Sequence, residues 1–196
     1  IERLHHELES GTYRHGTYQL FEIHEPKERM IAKAPFKDRV VHHAFHDVIE
    51  PFIDKKFIYD SYACRNGKGT HVALDRTESF LRANRYCFHG DVRKYFPSID
   101  HVVLRRLLRR HIADARVLAV LDNIIVSADS INAVPGRGLP IGNLTSQFFA
   151  NLYLHELDHY AKHALGCRYY IRYMDDFMVF DNDRSRLEAV KVRMRD

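Results

Sequence analysis

The N-terminal third of the chain alternates short apolar runs with polar stretches. Its first residues form a charged helical pattern that ends near Ser10. Residues 18–23 alternate weakly between apolar and polar side chains, and residues 29–32 form a second short run after a Glu-Pro-Lys-Glu turn. Two such strands around a turn predict a β-hairpin with a basic tip.

Helical periodicity follows the predicted hairpin. From Val41 to Phe52, apolar residues recur every three or four positions, which predicts a helix that Asp38 caps and that Pro51 ends or kinks. After a loop with two glycines, the spacing of apolar residues predicts a second helix over residues 70–85.

The middle of the chain combines an apolar strand with a basic amphipathic helix. Residues 86–92 read as a buried strand that ends near the carboxylate of Asp91. Asp100 can cap the next helix, and the predicted inner face of that helix is formed by Leu104, Leu107, Leu108 and His111. Its outer face could follow a phosphate backbone or form a solvated surface. That face carries Arg105, Arg106, Arg109 and Arg110.

The last third contains a long helix and two aromatic strands. We predict helices over residues 115–125 and 145–165, the second ending at a left-handed cap on Gly166. The candidate inner face of the long helix consists of Phe149, Leu152, Tyr153, Leu157, Tyr160 and Ala161. Strands are expected over residues 168–174 and 177–180, before a final helix. Helices and strands mix without strict alternation, which favours an α+β fold over a doubly wound sheet.

Composition narrows the class of protein. The 196 residues are 45% hydrophobic and 29% charged, which is typical of one globular domain or two small ones and excludes a disordered tail. No apolar run approaches the roughly 18 residues that span a bilayer. Three widely spaced cysteines predict a reducing, cytoplasmic setting without disulfides. The net charge of +4 permits a polyanionic partner without requiring one.

The strongest chemical signal is the pair Asp175-Asp176 between two predicted strands. Adjacent carboxylates at a tight turn repel each other, and a divalent cation would remove that conflict. Asp91 ends another predicted strand, so it could join this pair in a carboxylate site for Mg²⁺. A solvent-exposed turn is the alternative, because aspartate is a favourable turn residue.

Several segments resemble, in the same order, the motifs of reverse transcriptases. The palm motifs correspond to residues 91–96 (DVRKYF), 138–147 (GLPIGNLTSQ) and 173–176 (YMDD). The fingers motifs of the bacterial enzymes resemble residues 27–31, 36–43 and 61–71. The likeness covers about Glu25 to Phe180. The form of the middle motif, LPIGNLTSQ, is most similar to the reverse transcriptases of diversity-generating retroelements.

This resemblance implies an α+β fold made of the fingers and palm of a right-hand polymerase, with an antiparallel palm sheet backed by helices. We expect a fingers-like region over residues 1–85 and the palm over residues 86–196, with the two interleaved. The thumb is expected to be absent, since the chain reads as a fragment of a longer enzyme. The implied reaction is RNA-directed addition of dNTPs to a primer 3′-hydroxyl by two-metal phosphoryl transfer.

The resemblance also implies roles for single residues. Asp91 and Asp175 correspond to the principal ligands of two Mg²⁺ ions, for which Mn²⁺ can substitute. Asp176 assists them, and the carbonyl of Val92 is a further candidate ligand. Phe96 falls at the steric-gate position, where a ring would exclude a ribose 2′-hydroxyl. The remaining substrate-binding candidates are Lys27, Arg29, Arg39, Ile141, Gly142 and Gln147.

Two of these candidates have alternatives. Arg39 could instead be a surface or salt-bridging residue. Ile141 stands where a glutamine is common in the family, and a site that lacks a positioned polar group discriminates less well. We therefore expect a polymerase that misincorporates readily. The alternative is that Ile141 packs against the following helix.

The implied partners are an RNA template, a nucleic-acid primer and dNTPs, with an accessory retroelement protein and no membrane. Two other functions stay open. One is a defence-system enzyme of the same fold that makes untemplated DNA, and the other is a non-catalytic RNA-binding scaffold. The presence of Asp91, Asp175 and Asp176 argues against the scaffold.

Other motifs carry weaker signals. The segment Gly67-Lys68-Gly69-Thr70 lacks the first glycine of a phosphate-binding loop. Several histidines have helical spacing but no third zinc ligand in sequence, namely His42, His46, His155, His159 and His163. Cys64, Cys87 and Cys167 are read as buried or incidental thiols, and Ser146 as part of a helix start.

Overall fold

A computed structural model describes residues 1–24 and 28–195. Within these residues the strands are β1 (Gln19–Ile23), β2 (Arg29–Lys33), β3 (Tyr86–Asp91), β4 (Tyr169–Tyr173) and β5 (Asp176–Asp181). The helices are α1 (Glu2–Glu9), α2 (Phe36–Asp54), α3 (Thr70–Ala83), α4 (Tyr95–Ser98), α5 (His101–Arg109), α6 (Ala115–Ser127), α7 (Leu144–His159) and α8 (Arg184–Arg193). The mixture confirms the predicted α+β class.

The chain forms two units, and each is built from two separated stretches. The first unit contains Ile1–Ile53 and Lys94–Tyr153, and the second contains Asp54–Arg93 and the stretch from Leu154 onward. The assignment of fingers to residues 1–85 and of palm to residues 86–196 stays a prediction.

The predicted hairpin is present in the first unit. Strands β1 and β2 pair antiparallel, from Gln19 opposite Lys33 to Ile23 opposite Arg29. Residues 25–27 of the predicted turn lie outside the described residues. The hairpin is attached to the GLPIGN loop, because the Ala32 amide donates to the Ile141 carbonyl at 2.9 Å.

The start of α2 differs from the prediction. The helix begins at Phe36, and Asp38 lies fully buried in its first turn instead of capping it. Its carboxylate accepts hydrogen bonds from the Tyr13 hydroxyl at 2.7 Å and from the Gly16 amide at 3.0 Å. These donors come from a distant part of the chain, so local spacing could not reveal them. Pro51 lies inside α2, three residues before its end.

The basic helix α5 is capped as predicted. The Asp100 side chain accepts hydrogen bonds from the amides of Val102 and Val103. The three leucines of the inner face are buried, whereas His111 lies beyond the end of the helix and is only half-buried. On the outer face, Arg105 and Arg109 pair with Asp122 of α6 at 3.1 and 2.8 Å. These two arginines therefore connect two helices, and their role at a phosphate backbone stays a prediction.

The second unit is built on a three-stranded antiparallel sheet with the order β3-β5-β4. Tyr170, Phe177 and Val179 point to one face of the sheet, where residues of α8 and of the chain after α7 cover them. Ile171 and Phe180 point to the other face and pack on α3. The prediction of a buried β3 is wrong, because this edge strand alternates between half-buried and exposed residues.

The helix predicted over residues 145–165 has about the predicted length, but its last turn is not α-helical. Helix α7 ends at His159 and is followed by a π-helical turn, Tyr160–Ala164. Gly166 then has a φ of +64°, as expected for a left-handed cap. Of the six residues of the predicted inner face, Tyr160 is exposed. Within the part of the chain that the structure describes, no helix is long and apolar enough to cross a membrane.

Candidate active site

The sheet of the second unit brings three carboxylates together. Strand β3 ends at Asp91, strand β5 begins at Asp176, and the two residues are directly paired. Asp175 lies in the turn between β4 and β5, and its carbonyl accepts a hydrogen bond of 3.3 Å from the amide of Val92. One carboxylate oxygen from each aspartate lies within 4.8 Å of the others. We call these three residues the carboxylate cluster.

The donor set of the cluster fits a hard divalent cation. Asp91 and Asp176 are exposed and Asp175 is half-buried, so an ion could keep several waters. Mg²⁺ prefers such a site, with one or two carboxylates at about 2.0–2.1 Å and the rest of its shell from water or substrate phosphate. Three like charges at this separation repel each other, and a cation would offset that repulsion.

His89 belongs to the surroundings of the cluster, although the sequence reasoning did not single it out. Its Nε2 lies 3.0 Å from Oδ1 of Asp176. His89 precedes Asp91 by two residues on the same strand, so both side chains point to one face. The spacing of two residues between His89 and Asp91 on a predicted strand is the sequence signal that could have identified His89.

A glycine allows the two strands to meet at the cluster. Gly90 lies opposite Phe177, and a Cβ atom at Gly90 would lie 2.3 Å from the Phe177 ring. Any larger residue would therefore push the ring or the strand away. Because the register at Gly90 also sets the pairing of Asp91 with Asp176, this glycine helps to place the cluster.

The turn that carries Asp175 is held from behind by a buried ion pair. Arg172 and Asp158 are fully buried, and Arg172 also donates to the Met174 carbonyl at 2.8 Å. The Tyr170 hydroxyl donates to Asp158 at 2.8 Å, and burial raises its pKa well above the ordinary value, with the charge of Asp158 acting in the same direction. Sequence reasoning missed this pair. An arginine at an inward position of an aromatic strand is the signal that could have found it.

Part of the predicted substrate-binding set forms a cavity in the first unit. Arg39, Gly142 and Gln147 line a cavity of about 280 Å³. The other lining residues are His42, His43, Asn143 and Leu144. Gly142 has a φ of +108°, and a Cβ atom there would lie 2.7 Å from the Ile31 side chain. The loop therefore needs glycine for both its backbone conformation and its contact with β2.

The charge of this cavity comes from Arg39. The guanidinium of Arg39 lies 5.6 Å from the ring of Phe36. His42 is buried, and burial lowers its pKa to about 4, so the ring is neutral near pH 7. Among the described residues neither ring nitrogen of His42 has a hydrogen-bond partner, and the ring stacks on His15 with the centroids 5.3 Å apart.

The other substrate-binding candidates have different surroundings. Ile141 is half-buried, and Arg29 is exposed at the start of β2. Phe96 is half-buried in α4, with its ring 5.7 Å from that of Tyr95. Lys27 lies outside the described residues. Contact of any of these residues with a nucleotide stays a prediction.

The motifs that the sequence reasoning rejected gain no support. Among residues 1–24 and 28–195, only the carboxylate cluster brings three or more His, Cys, Asp or Glu side chains close enough together to share one ion. The helical histidines are not part of it. The three cysteines are free, with Cys64 and Cys87 exposed instead of buried. Burial of parts of these side chains raises the pKa of all three thiols.

The sequence of the chain matches a known protein family. The family model described as "Reverse transcriptase (RNA-dependent DNA polymerase)" matches residues 23–196. Protein YkfC of Escherichia coli (strain K12) is 27% identical over 172 residues, which cover 82% of this chain and 45% of that protein. The group II intron-encoded protein LtrA of Lactococcus lactis subsp. cremoris is 26% identical over 167 residues, or 82% of this chain and 28% of LtrA.

A solved structure supports the same fold. The structure of apo telomerase from Candida tropicalis matches with a TM-score of 0.68 at 10% identity, covering 92% of this chain and 41% of that chain. At this identity the likeness concerns the fold alone. The chain spans less than half the length of each of these relatives.

Proposed function

The chain belongs to the reverse transcriptase family, and from that premise we propose that its parent protein is an RNA-directed DNA polymerase. The reaction adds dNTPs to a primer 3′-hydroxyl on an RNA template. In this proposal the chain contributes the fingers and palm, and a thumb lies elsewhere in the parent protein.

The observation that carries the proposal is the carboxylate cluster. Asp91 and Asp175 would hold the cations on two adjacent structural elements, and Asp176 would assist while it contacts His89. Two bound Mg²⁺ ions, or Mn²⁺ in their place, would lower the pKa of the attacking hydroxyl and neutralise charge on the leaving group. The protein's own contribution is a fixed spacing of oxygen ligands, with the Val92 carbonyl as a further candidate.

The cavity of the first unit suits the polar part of a nucleotide or template. Arg39 supplies positive charge, and Gln147 and the backbone around Gly142 supply hydrogen-bonding groups. Lys27 and Arg29 of the hairpin would bind the triphosphate in this proposal. Phe96 would act as the steric gate that selects deoxyribose.

The finer assignment within the family is also a proposal. The LPIGNLTSQ motif supports a diversity-generating retroelement enzyme, whereas the relatives named above are YkfC and a group II intron-encoded protein. An error-prone polymerase with an accessory retroelement protein would follow from the retroelement assignment. Ile141 is the residue that carries the low-fidelity hypothesis, because it offers no polar side-chain group to the nascent base pair.

Primer extension tests the proposed activity. The full-length parent protein would be incubated with an RNA template, a primer, dNTPs and Mg²⁺, beside its Asp175→Asn and Asp47→Asn variants. Asp47 is a matched control, since its side chain is 75% exposed on α2. We expect extension by the parent and by Asp47→Asn, and a loss of at least roughly 100-fold in Asp175→Asn.

The same assay separates the alternatives. DNA synthesis that persists without template RNA would point to an untemplated defence-type enzyme. RNA binding without synthesis, in the parent and with every added partner, would contradict the polymerase and favour a scaffold.

A further inference from the structure

A buried ion pair lies directly behind the turn that carries Asp175. Arg172 on β4 and Asp158 near the end of α7 are both 0% exposed. Their side chains form two hydrogen bonds of 2.7 Å. Moving two charges out of water is unfavourable, and an apolar pair of similar volume is often as stable. Stability of the fold is therefore a weak explanation for this pair.

The guanidinium of Arg172 also contacts the turn itself. Its Nη1 donates a hydrogen bond of 2.8 Å to the carbonyl oxygen of Met174, which directly precedes Asp175. Met174 has a φ of +56°, a left-handed conformation that is sterically unfavourable for a residue with a side chain. The hydrogen bond from Arg172 fixes the peptide group that follows this unusual φ.

Arg172 is itself held in place by the chain before α3. Its backbone amide donates to the Asp60 carbonyl at 2.9 Å, and its carbonyl accepts from the Tyr62 amide at 3.0 Å. Its Nη2 also donates to the Ser61 hydroxyl at 3.1 Å. These contacts and the two bonds to Asp158 prevent the guanidinium from turning away from the Met174 carbonyl.

The opposite end of the same short segment is bonded to Val92, the residue directly after β3. The Val92 amide donates to the Asp175 carbonyl, so two consecutive carbonyls of the turn each accept a hydrogen bond. With both carbonyls fixed, the peptide groups on either side of the Asp175 Cα are held, and this sets the direction of its Cα–Cβ bond. A residue in this position can set the geometry of a cation site without touching the cation.

We propose that the Arg172–Asp158 pair positions the cation-binding carboxylate of Asp175 through the carbonyl of Met174. Arg172 is thus a positioning residue, since its hydrogen bond goes to the backbone carbonyl that directly precedes Asp175. The proposal rests on the proposed function for its biological meaning. Its test does not, because cation binding can be measured without any DNA synthesis.

The test is a titration of the 196-residue chain with Mn²⁺, followed by electron paramagnetic resonance, together with thermal unfolding. Arg172→Lys keeps the charge next to Asp158 but replaces a planar fork by a single ammonium. Lysine cannot bond both oxygens of Asp158 and the Met174 carbonyl at once. We expect at least roughly tenfold weaker Mn²⁺ binding in this variant, the usual scale for loss of an orienting contact around a metal ligand.

A matched control exists in the same unit. Arg186 pairs with Asp181 and donates to the carbonyl of Gly166, which also has a positive φ. Arg186→Lys therefore makes the same chemical change at a turn that carries no carboxylate of the cluster. We expect its Mn²⁺ affinity to stay within about twofold of the wild type.

The double variant Arg172→Met/Asp158→Leu separates positioning from stability. It leaves no unpaired buried charge, so it is expected to unfold at a temperature no lower than Arg172→Lys does. Its Mn²⁺ affinity should nevertheless fall as far as that of Arg172→Lys. If one of the two variants, Arg172→Lys or Arg172→Met/Asp158→Leu, is unfolded, the Mn²⁺ affinity of the folded one tests the positioning role.

Three results would overturn the positioning role. The first is a folded Arg172 variant that binds Mn²⁺ as tightly as the wild type. The second is an equal loss of Mn²⁺ affinity in Arg172→Lys and Arg186→Lys. The third is a wild type that binds no Mn²⁺. Failure of the polymerase is a different result. If the parent protein extends no primer while the Mn²⁺ results hold, the proposed function is wrong and the positioning role stands.

Discussion

The carboxylate cluster of the second unit and the cavity of the first unit are held by different kinds of structure. Asp91 and Asp176 occupy paired positions of two regular strands, and a buried ion pair fixes the turn beside them. The cavity around Gly142 is formed by α2, a loop and the start of α7, and the hairpin is attached to that loop. A change in strand register would displace every ligand of the cluster together. A loop can absorb part of a change locally, so the same kind of substitution should cost less there.

The largest expected effect is that of Gly90→Ala. The new Cβ would lie 2.3 Å from the Phe177 ring, so either the ring or β3 must move. Overpacking of this severity is expected to lower the free energy of unfolding by about 3 kcal/mol and to weaken Mn²⁺ binding. Urea unfolding and Mn²⁺ titration would measure both.

A second substitution checks the cause assigned to Gly90→Ala. Phe177→Leu removes the far end of the ring, so Gly90→Ala/Phe177→Leu should recover part of the stability that Gly90→Ala loses. A double variant no more stable than Gly90→Ala would show that the clash is not the reason.

The next effect is a pH dependence that belongs to the first unit. Burial lowers the pKa of His42 to about 4, with the neighbouring His15 and His43 acting in the same direction and Asp38 against them. In the unfolded chain a histidine has a pKa of about 6.5, so between about pH 6.5 and pH 4 His42 is protonated in the unfolded chain but neutral in the folded one. The free energy of unfolding should therefore fall by roughly 2–3 kcal/mol as the pH drops from 7 to 4, and this term should level off below pH 4.

Urea unfolding at pH 7 and pH 4.5 tests this dependence. His42→Leu should lose much less stability between the two pH values than the wild type, whereas the exposed His43→Leu should behave like the wild type. An unchanged pH dependence in His42→Leu would contradict the assignment to His42.

A smaller effect is expected for Gly142→Ala in the loop of the first unit. The φ of +108° and the contact of 2.7 Å with Ile31 both oppose a side chain there. We expect a loss of about 2 kcal/mol in the free energy of unfolding. Gly136→Ala is the control, since its φ of +75° gives backbone strain but no atom of the described residues lies within 4 Å of the new Cβ. An equal loss of unfolding free energy in the two variants would show that the contact with Ile31 does not contribute to the effect.

The smallest effect concerns Ile141→Gln. A glutamine could offer a hydrogen bond near the nascent base pair, so we expect a change of a few-fold in the misincorporation frequency of the parent polymerase, with little change in stability. Sequencing of the extension products would measure it. An unchanged error spectrum would favour the alternative in which Ile141 only packs.

The parts that could be predicted from sequence depend on local spacing. The β1–β2 hairpin, the Asp100 cap and the two strands around Asp175 follow from patterns that span a few residues. The same patterns brought Asp91 and Asp175 into one hypothesis. Regular alternation on two strands fixes which side chains share a face, and the structure places these carboxylates together.

The parts that could not be predicted depend on contacts between distant residues. Asp38 looks like a cap in sequence, but its donors are Tyr13 and Gly16. The strand position of Arg172 indicates an inward side chain, but its partner Asp158 lies 14 residues earlier in the sequence, on α7. An edge strand such as β3 has the composition of a buried one, and only the order of the sheet shows that half of it is exposed.

The most direct test of the central claim is Mn²⁺ binding by the 196-residue chain and by its Asp91→Asn, Asp175→Asn and Asp47→Asn variants. The claim is that strands β3 and β5 and the turn before β5 build one cation site. It predicts that Asp91→Asn and Asp175→Asn each bind Mn²⁺ at least roughly tenfold more weakly than the wild type, while Asp47→Asn binds it equally well. Equal Mn²⁺ affinity in all four folded proteins would contradict the claim.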